Sequence, residues 1–114
     1  MSCVFCDRIA EGDYVERSND GIAPSVIFEP LNPVTPGHYL VVPVLHVTDA
    51  LEFPRVTGAV MEYAVLMAQR IGFESCNLIT STGSAATQTV MHLHIHIVPR
   101  REGDGLHLPW TGQP

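Results

Sequence analysis

Lysine is absent from the 114 residues. The six basic side chains are all arginines (Arg8, Arg17, Arg55, Arg70, Arg100 and Arg101), and only the last two are adjacent. Against twelve acidic residues they leave a formal charge of −6. A nucleic-acid surface needs clustered cations, so that class of partner is not expected. Any phosphate-bearing ligand would have to be held by histidines, hydroxyls and backbone N–H groups instead. No apolar run approaches the ~20 residues of a membrane span. The N-terminus also has no basic stretch leading into an apolar one, so a soluble, cytoplasmic protein without a membrane partner is expected. Cysteine is sparse and odd in number, with two of the three in Cys3-x-x-Cys6. That pair points to metal or redox chemistry before a disulfide framework. Cys76 reads as a packed thiol. Neither an internal repeat nor a dividing linker occurs, and residues 1–114 are expected to form one domain.

What is present is a sequence of short β-prone runs around one long helical pattern. Within residues 1–10, Val4, Phe5 and Ile9 form a short apolar pattern suited to a few helical turns. Tyr14–Arg17 and Ser25–Glu29 read as strands, separated by the turn signal Asn19-Asp20-Gly21. Three prolines and a glycine stiffen residues 30–37, after which His38–Val42 is a strand that Pro43 ends. Asp49-Ala50-Leu51-Glu52 has capping-box spacing and predicts a short helical turn. Pro54 suits the first turn of a long helix. Its apolar positions Val56, Val60, Tyr63, Ala64, Met67 and Ile71 define one buried face, and Gly72 stops it. Cys76–Thr80 is a fourth strand, and the small polar segment 81–87 is a loop suited to wrapping a ligand. Strands, one long helix, then strands predict an α+β fold with an antiparallel sheet.

The most informative stretch is Met91-His92-Leu93-His94-Ile95-His96-Ile97-Val98. A period of two predicts a strand with Leu93, Ile95 and Ile97 in the core and the three histidines on the opposite face. Alternate Cα atoms are roughly 6–7 Å apart, so the outer histidines stand about 13 Å from each other, too far to share one metal ion. The three imidazoles must therefore serve different purposes. A neutral imidazole is a nucleophile near pH 7, and neighbouring imidazoles supply donors for phosphoryl oxygens.

These residues resemble the signature of the histidine triad (HIT) superfamily of nucleotide hydrolases and transferases. Gln88-Thr89 upstream, Pro36-Gly37-His38 with the following His46, and Cys3-Val4-Phe5-Cys6 resemble further motifs of its zinc-containing members, in the same order. The resemblance implies a sheet of about five antiparallel strands with one long and one short helix, paired as a homodimer. It implies attack at the α-phosphorus of a purine nucleotide conjugate, with His94 as the nucleophile and His96 polarising the phosphate. His38 and Thr89 complete the catalytic set, Thr89 at the leaving group or phosphate. Gln88 would help hold the phosphate through side chain or backbone, and Ile27, Phe28 and Ser81 would contact the nucleoside. It also implies a structural zinc held by Cys3, Cys6, His46 and His92. Trp110 in the tail is expected to pack at the dimer interface.

The resemblance breaks at two positions. Many members carry an Asp two residues after the aromatic of the second strand to bind the ribose hydroxyls; here that position is Pro30. Many also carry an Asn where this chain has Ser81. The altered ribose position supports a second reading, a nucleotide-binding or regulatory module without turnover. A cupin-like metal oxygenase built on His-x-His fits less well, because the cysteine pair suggests a closed metal site.

Overall fold

A computed structural model describes residues 2–19 and 21–112. Asp20 of the expected turn at residues 19–21 lies outside them, as do the last two residues of the tail. The elements are α1 (Val4–Ala10), β1 (Glu16–Ser18), β2 (Ser25–Phe28), β3 (Tyr39–Pro43), α2 (Pro54–Ile71), β4 (Cys76–Ile79) and β5 (Ile95–Pro99). A 3-10 turn, Ser84–Ala86, interrupts the loop before the histidines. The α+β expectation holds: one five-stranded sheet in the order β1-β2-β3-β5-β4, every neighbouring pair antiparallel, with one long and one short helix. Among the described residues no helix is long and apolar enough to cross a membrane.

Strand alternation divides the core into two layers. Ile27, Val41, Ile95 and Ile97 point to one face, where Val60, Ala64 and Met67 of α2 cover them. Val26, Phe28, Leu40 and Val42 point to the other, where α1 lays Phe5 upon them. The histidines lie with this second layer, since His96 is the register partner of Leu40. Phe5 closes over His92 and His94 with ring centroids 6.0 Å and 5.1 Å away.

Helix α2 begins at Pro54 and ends at Gly72, whose φ of 89° is the left-handed cap that glycine adopts without strain. Its buried face matches the pattern with one exception: Ile71 is exposed. Eighteen helical residues span about 27 Å, whereas strands of four or five residues span roughly 13–17 Å. The last turn therefore overruns the sheet. The turn predicted at Asp49 is not helical. Glu52 accepts from the Thr48 N–H at 2.7 Å rather than from Asp49, and Asp49 accepts from Leu51 N–H. Pro54 disfavours the helical region for the preceding Phe53, so this turn cannot propagate.

Strand β5 is shorter than expected, starting at Ile95 rather than near Met91. The β3–β5 ladder ends at the Val41–Ile95 pair, two residues short of Pro43. That residue has no N–H to donate, and its carbonyl accepts from the His92 imidazole at 2.8 Å. Leu93 N–H goes instead to the Val47 carbonyl at 2.6 Å. His92, at a bend, and His94 thus sit just ahead of the first strand residue, Ile95.

Gly37 delivers His38 into β3. Its φ is +88°, and a Cβ there would stand 3.1 Å from Pro99 Cγ and 3.4 Å from Phe73. Gly37→Ala is expected to cost roughly 1–3 kcal/mol, from a left-handed residue with a Cβ plus this crowding. Chemical denaturation would measure it, and an unchanged midpoint would contradict the account.

Candidate active site and metal cluster

The tautomers of the imidazoles follow from their partners. His94 Nδ1 lies 2.7 Å from the His92 carbonyl, which can only accept, so Nδ1 carries the proton. Nε2 of the neutral ring therefore keeps its lone pair, and no hydrogen bond among the described residues occupies it. His38 Nδ1 accepts from the Val34 N–H at 3.1 Å, so its proton is on Nε2 and is donated to His96 Nδ1 at 2.9 Å. Neutral His96 then presents an Nε2–H. One histidine offers a lone pair and its neighbour a proton, with ring centroids 5.2 Å apart.

Burial makes the neutral forms persist. It depresses His94, His38 and His96 below the usual imidazole value. His96 is lowered to about 4, by desolvation first and then by the proximity of His94 and His38. At pH 7 all three rings are uncharged, the state in which lone pair and donor coexist.

His92 takes a different path. It is fully buried, and its Nε2–H is spent on the Pro43 carbonyl, so the Nδ1 lone pair faces Cys3 Sγ at 3.4 Å and Cys6 Sγ at 3.5 Å. His46 Nδ1 lies 3.3 Å from Cys6 Sγ. The four ligand atoms all fall within 4.8 Å of one another. A tetrahedral zinc with bonds of ~2.3 Å to sulfur and ~2.0–2.1 Å to nitrogen requires donor separations of roughly 3.3–3.8 Å. The donor types fit and three of the pairs lie 3.3–3.5 Å apart, while separations of up to 4.8 Å within the set would have to close on binding. The His92–Pro43 bond is the kind of outer contact that orients a ligating imidazole. Cys3 also caps α1, accepting from Cys6 N–H at 3.5 Å. Burial, then Cys3, push the Cys6 thiol above its ordinary value; a bound cation would reverse that.

The remaining expected site residues are dispersed. Gln88 is buried, and its side chain is consumed by backbone: Oε1 accepts from Gly83 N–H, and Nε2 donates to the Thr48 and Val90 carbonyls. Its backbone N–H also bonds inward, to Gly83. It therefore braces the loop rather than presenting a group to ligand. Thr89 is exposed beside it, and Ser81 is half-buried just past β4. Ile27 points to the α2 layer, across the sheet from the histidines. Phe28 is on the histidine side but wholly covered.

Three contributors were not singled out from the sequence. Phe5 walls the imidazoles, Thr80 donates to the His94 carbonyl at 2.8 Å, and Arg8 covers Phe28. Phe5, lying between the two cysteines, offered a signal by position; Thr80 and Arg8 offered none.

A two-layer sheet carrying a neutral histidine pair beside a Cys₂His₂ cluster defines a class of protein, and comparison with known proteins agrees with it. Residues 23–103 match the HIT domain, and the chain belongs to the HIT family. It is 33% identical over 116 residues to the adenosine 5'-monophosphoramidase of Schizosaccharomyces pombe, covering 100% of this chain and 86% of that one. An Arabidopsis thaliana adenylylsulfatase is 36% identical over 110 residues, 91% of this chain but 55% of its own length. Among solved structures, a zinc-bound histidine triad family protein from Mycobacterium smegmatis superposes with a TM-score of 0.72. It is 36% identical, and the match covers 95% of this chain and 81% of that one.

Proposed function

We propose that the protein is a nucleotide hydrolase or nucleotidyl transferase. In this reading it acts at the α-phosphorus of a purine nucleotide conjugate, a phosphoramidate or phosphoanhydride, through a nucleotidyl-histidine intermediate on His94. The observation that carries the reading is the hydrogen bond from His94 Nδ1 to the His92 carbonyl, which leaves Nε2 unprotonated in a ring that burial keeps neutral. Two relatives, a monophosphoramidase and an adenylylsulfatase, support the class.

In the first step a bond forms from His94 Nε2 to phosphorus as the bond to the leaving group breaks. The electron pair departs with that group, which takes up a proton. His96 Nε2–H donates to a phosphoryl oxygen, and His38 holds His96 in that tautomer. The Thr89 hydroxyl, exposed and without a protein partner among the described residues, serves the leaving group. Water, or another acceptor in a transferase, then attacks phosphorus and loses a proton, and Nε2 recovers its lone pair. Gln88 acts by positioning this loop, Ser81 borders the nucleoside end, and Phe28 underlies that end beneath Phe5 and Arg8.

Cys3, Cys6, His46 and His92 would hold a zinc ion, closed by four protein ligands and therefore structural. Its contribution when bound is a crosslink between α1, the segment after β3 and the segment leading into β5. Residues 1–114 make up a single HIT domain in this reading, located in the cytoplasm. The active form is a homodimer. The open edge of β4 and an exposed Trp110 (64%) support that part, and a monomer by sedimentation at micromolar concentration would remove it.

The test is a panel of adenosine and guanosine 5'-phosphoramidates and adenylyl conjugates under single-turnover conditions, with mass analysis of quenched protein. Turnover with a nucleotidyl adduct on His94 is expected. Tight binding without adduct or turnover would favour a regulatory nucleotide-binding module, the alternative that Pro30 supports.

A further inference from the structure

Phe28 cannot offer a bare ring to a nucleobase. Its side chain has no exposed surface. Phe5 packs against it at 5.3 Å between centroids, and the Arg8 guanidinium lies over the ring with Cζ 4.1 Å from the centroid. Arg8 follows Phe5 by one helical turn, so both descend on the sheet from the same side of α1.

The guanidinium is fixed on several sides. Nε donates to Asp13 Oδ2 at 3.0 Å, one terminal nitrogen donates to the Glu29 carbonyl at 3.2 Å, and one face rests on Phe28. The second terminal nitrogen has no partner among the described residues, and 18% of the side chain stays exposed. A row of contacts links it to the nucleophile. His94 touches Phe5, Phe5 touches Phe28, and Arg8 covers Phe28 beside Glu29 and Pro30.

We infer that Arg8 is a specificity-determining residue: its guanidinium is the surface on which the base of a purine nucleotide stacks. This rests on the nucleotide reading above and deepens it. A guanidinium is planar, delocalised and weakly hydrated on its faces, and it stacks on π-systems as an ammonium cannot. The Asp13 carboxylate offsets its charge, so the surface suits a flat neutral base better than an additional phosphate. The Pro30 side chain carries no acceptor for ribose hydroxyls, so affinity at this end of the site shifts from sugar to base.

The test compares equilibrium binding of AMP and GMP with that of ribose 5-phosphate, which lacks a base. The variants are Arg8→Leu, which keeps apolar cover over Phe28, and Arg8→Lys, which keeps the charge without the plane. Both are expected to lower the ratio of nucleotide to ribose 5-phosphate affinity by about tenfold. Asp13→Asn, which loosens the clamp on Nε, should lower it by less, and this variant serves if Arg8→Leu does not fold. A ratio unchanged in every folded variant, or restored by lysine, overturns the inference. Because binding is read without turnover, an inactive wild-type protein would sink the hydrolase reading while leaving Arg8 decided by these ratios.

Discussion

Replacing His94 by alanine or asparagine is expected to abolish turnover of an adenosine phosphoramidate while the fold and bound metal remain. The rate should fall by roughly 10⁴-fold or more, the scale seen when a covalent nucleophile is removed and only binding and positioning remain. The fold should survive because His94 is only half-buried and holds one backbone hydrogen bond, to His92. Losing it should cost on the order of 1–3 kcal/mol. The layers beneath do not depend on it: Leu93, Ile95 and Ile97 keep their places against α2. Single-turnover kinetics and a thermal melt on the same preparation separate the two effects. Wild-type turnover by the variant would sink the mechanism. Loss of zinc alongside loss of turnover would mean that the variant had disturbed His92, whose carbonyl His94 holds.

The double variant Cys3→Ser/Cys6→Ser should lose its metal and a large part of its stability. Zinc bonds to Cys3, Cys6, His46 and His92 would tie together points 40 and more residues apart in sequence. An ion held at a thousandfold above its dissociation constant stabilises the native state by about 4 kcal/mol. In a domain of this size that moves Tm by roughly 15 °C. The wild-type protein treated with a chelator should move toward the same value, and returning zinc should restore only the wild type. Elemental analysis gives the direct readout: unchanged metal content in the double variant would remove the Cys₂His₂ assignment. The expected damage to activity is indirect, since His92 without zinc is still buried against Pro43 but no longer pins Cys3 and Cys6.

Local patterns carried much of the fold and part of the site. Alternation in the histidine run placed Leu93, Ile95 and Ile97 together on one core face, because a side-chain period of two sends alternate residues to the same side. Pro54 and Gly72 bounded α2, because one lacks an N–H and the other tolerates a left-handed φ. The roughly 13 Å expected between His92 and His96 meant that the two could not share one metal ion, so the three imidazoles had to divide between purposes. These are consequences of covalent geometry and repeat period, which a sequence states directly.

Tertiary structure decided the rest, because it depended on partners distant in sequence. The tautomer of His94 rests on a carbonyl two residues back whose direction is set beyond the end of the β3–β5 ladder. The tautomer of His96 rests on His38, 58 residues away, and on the Val34 N–H. Gln88 turned inward because Gly83 and Val90 of its own loop and the distant Thr48 converge on its amide. Ile27 and Phe28, adjacent in sequence, parted to opposite faces of the sheet, and Arg8 came to rest on the only one of the two that faces the histidines. A side chain's identity limits what it can donate or accept. Which lone pair stays free is settled only when the packed chain has used the others.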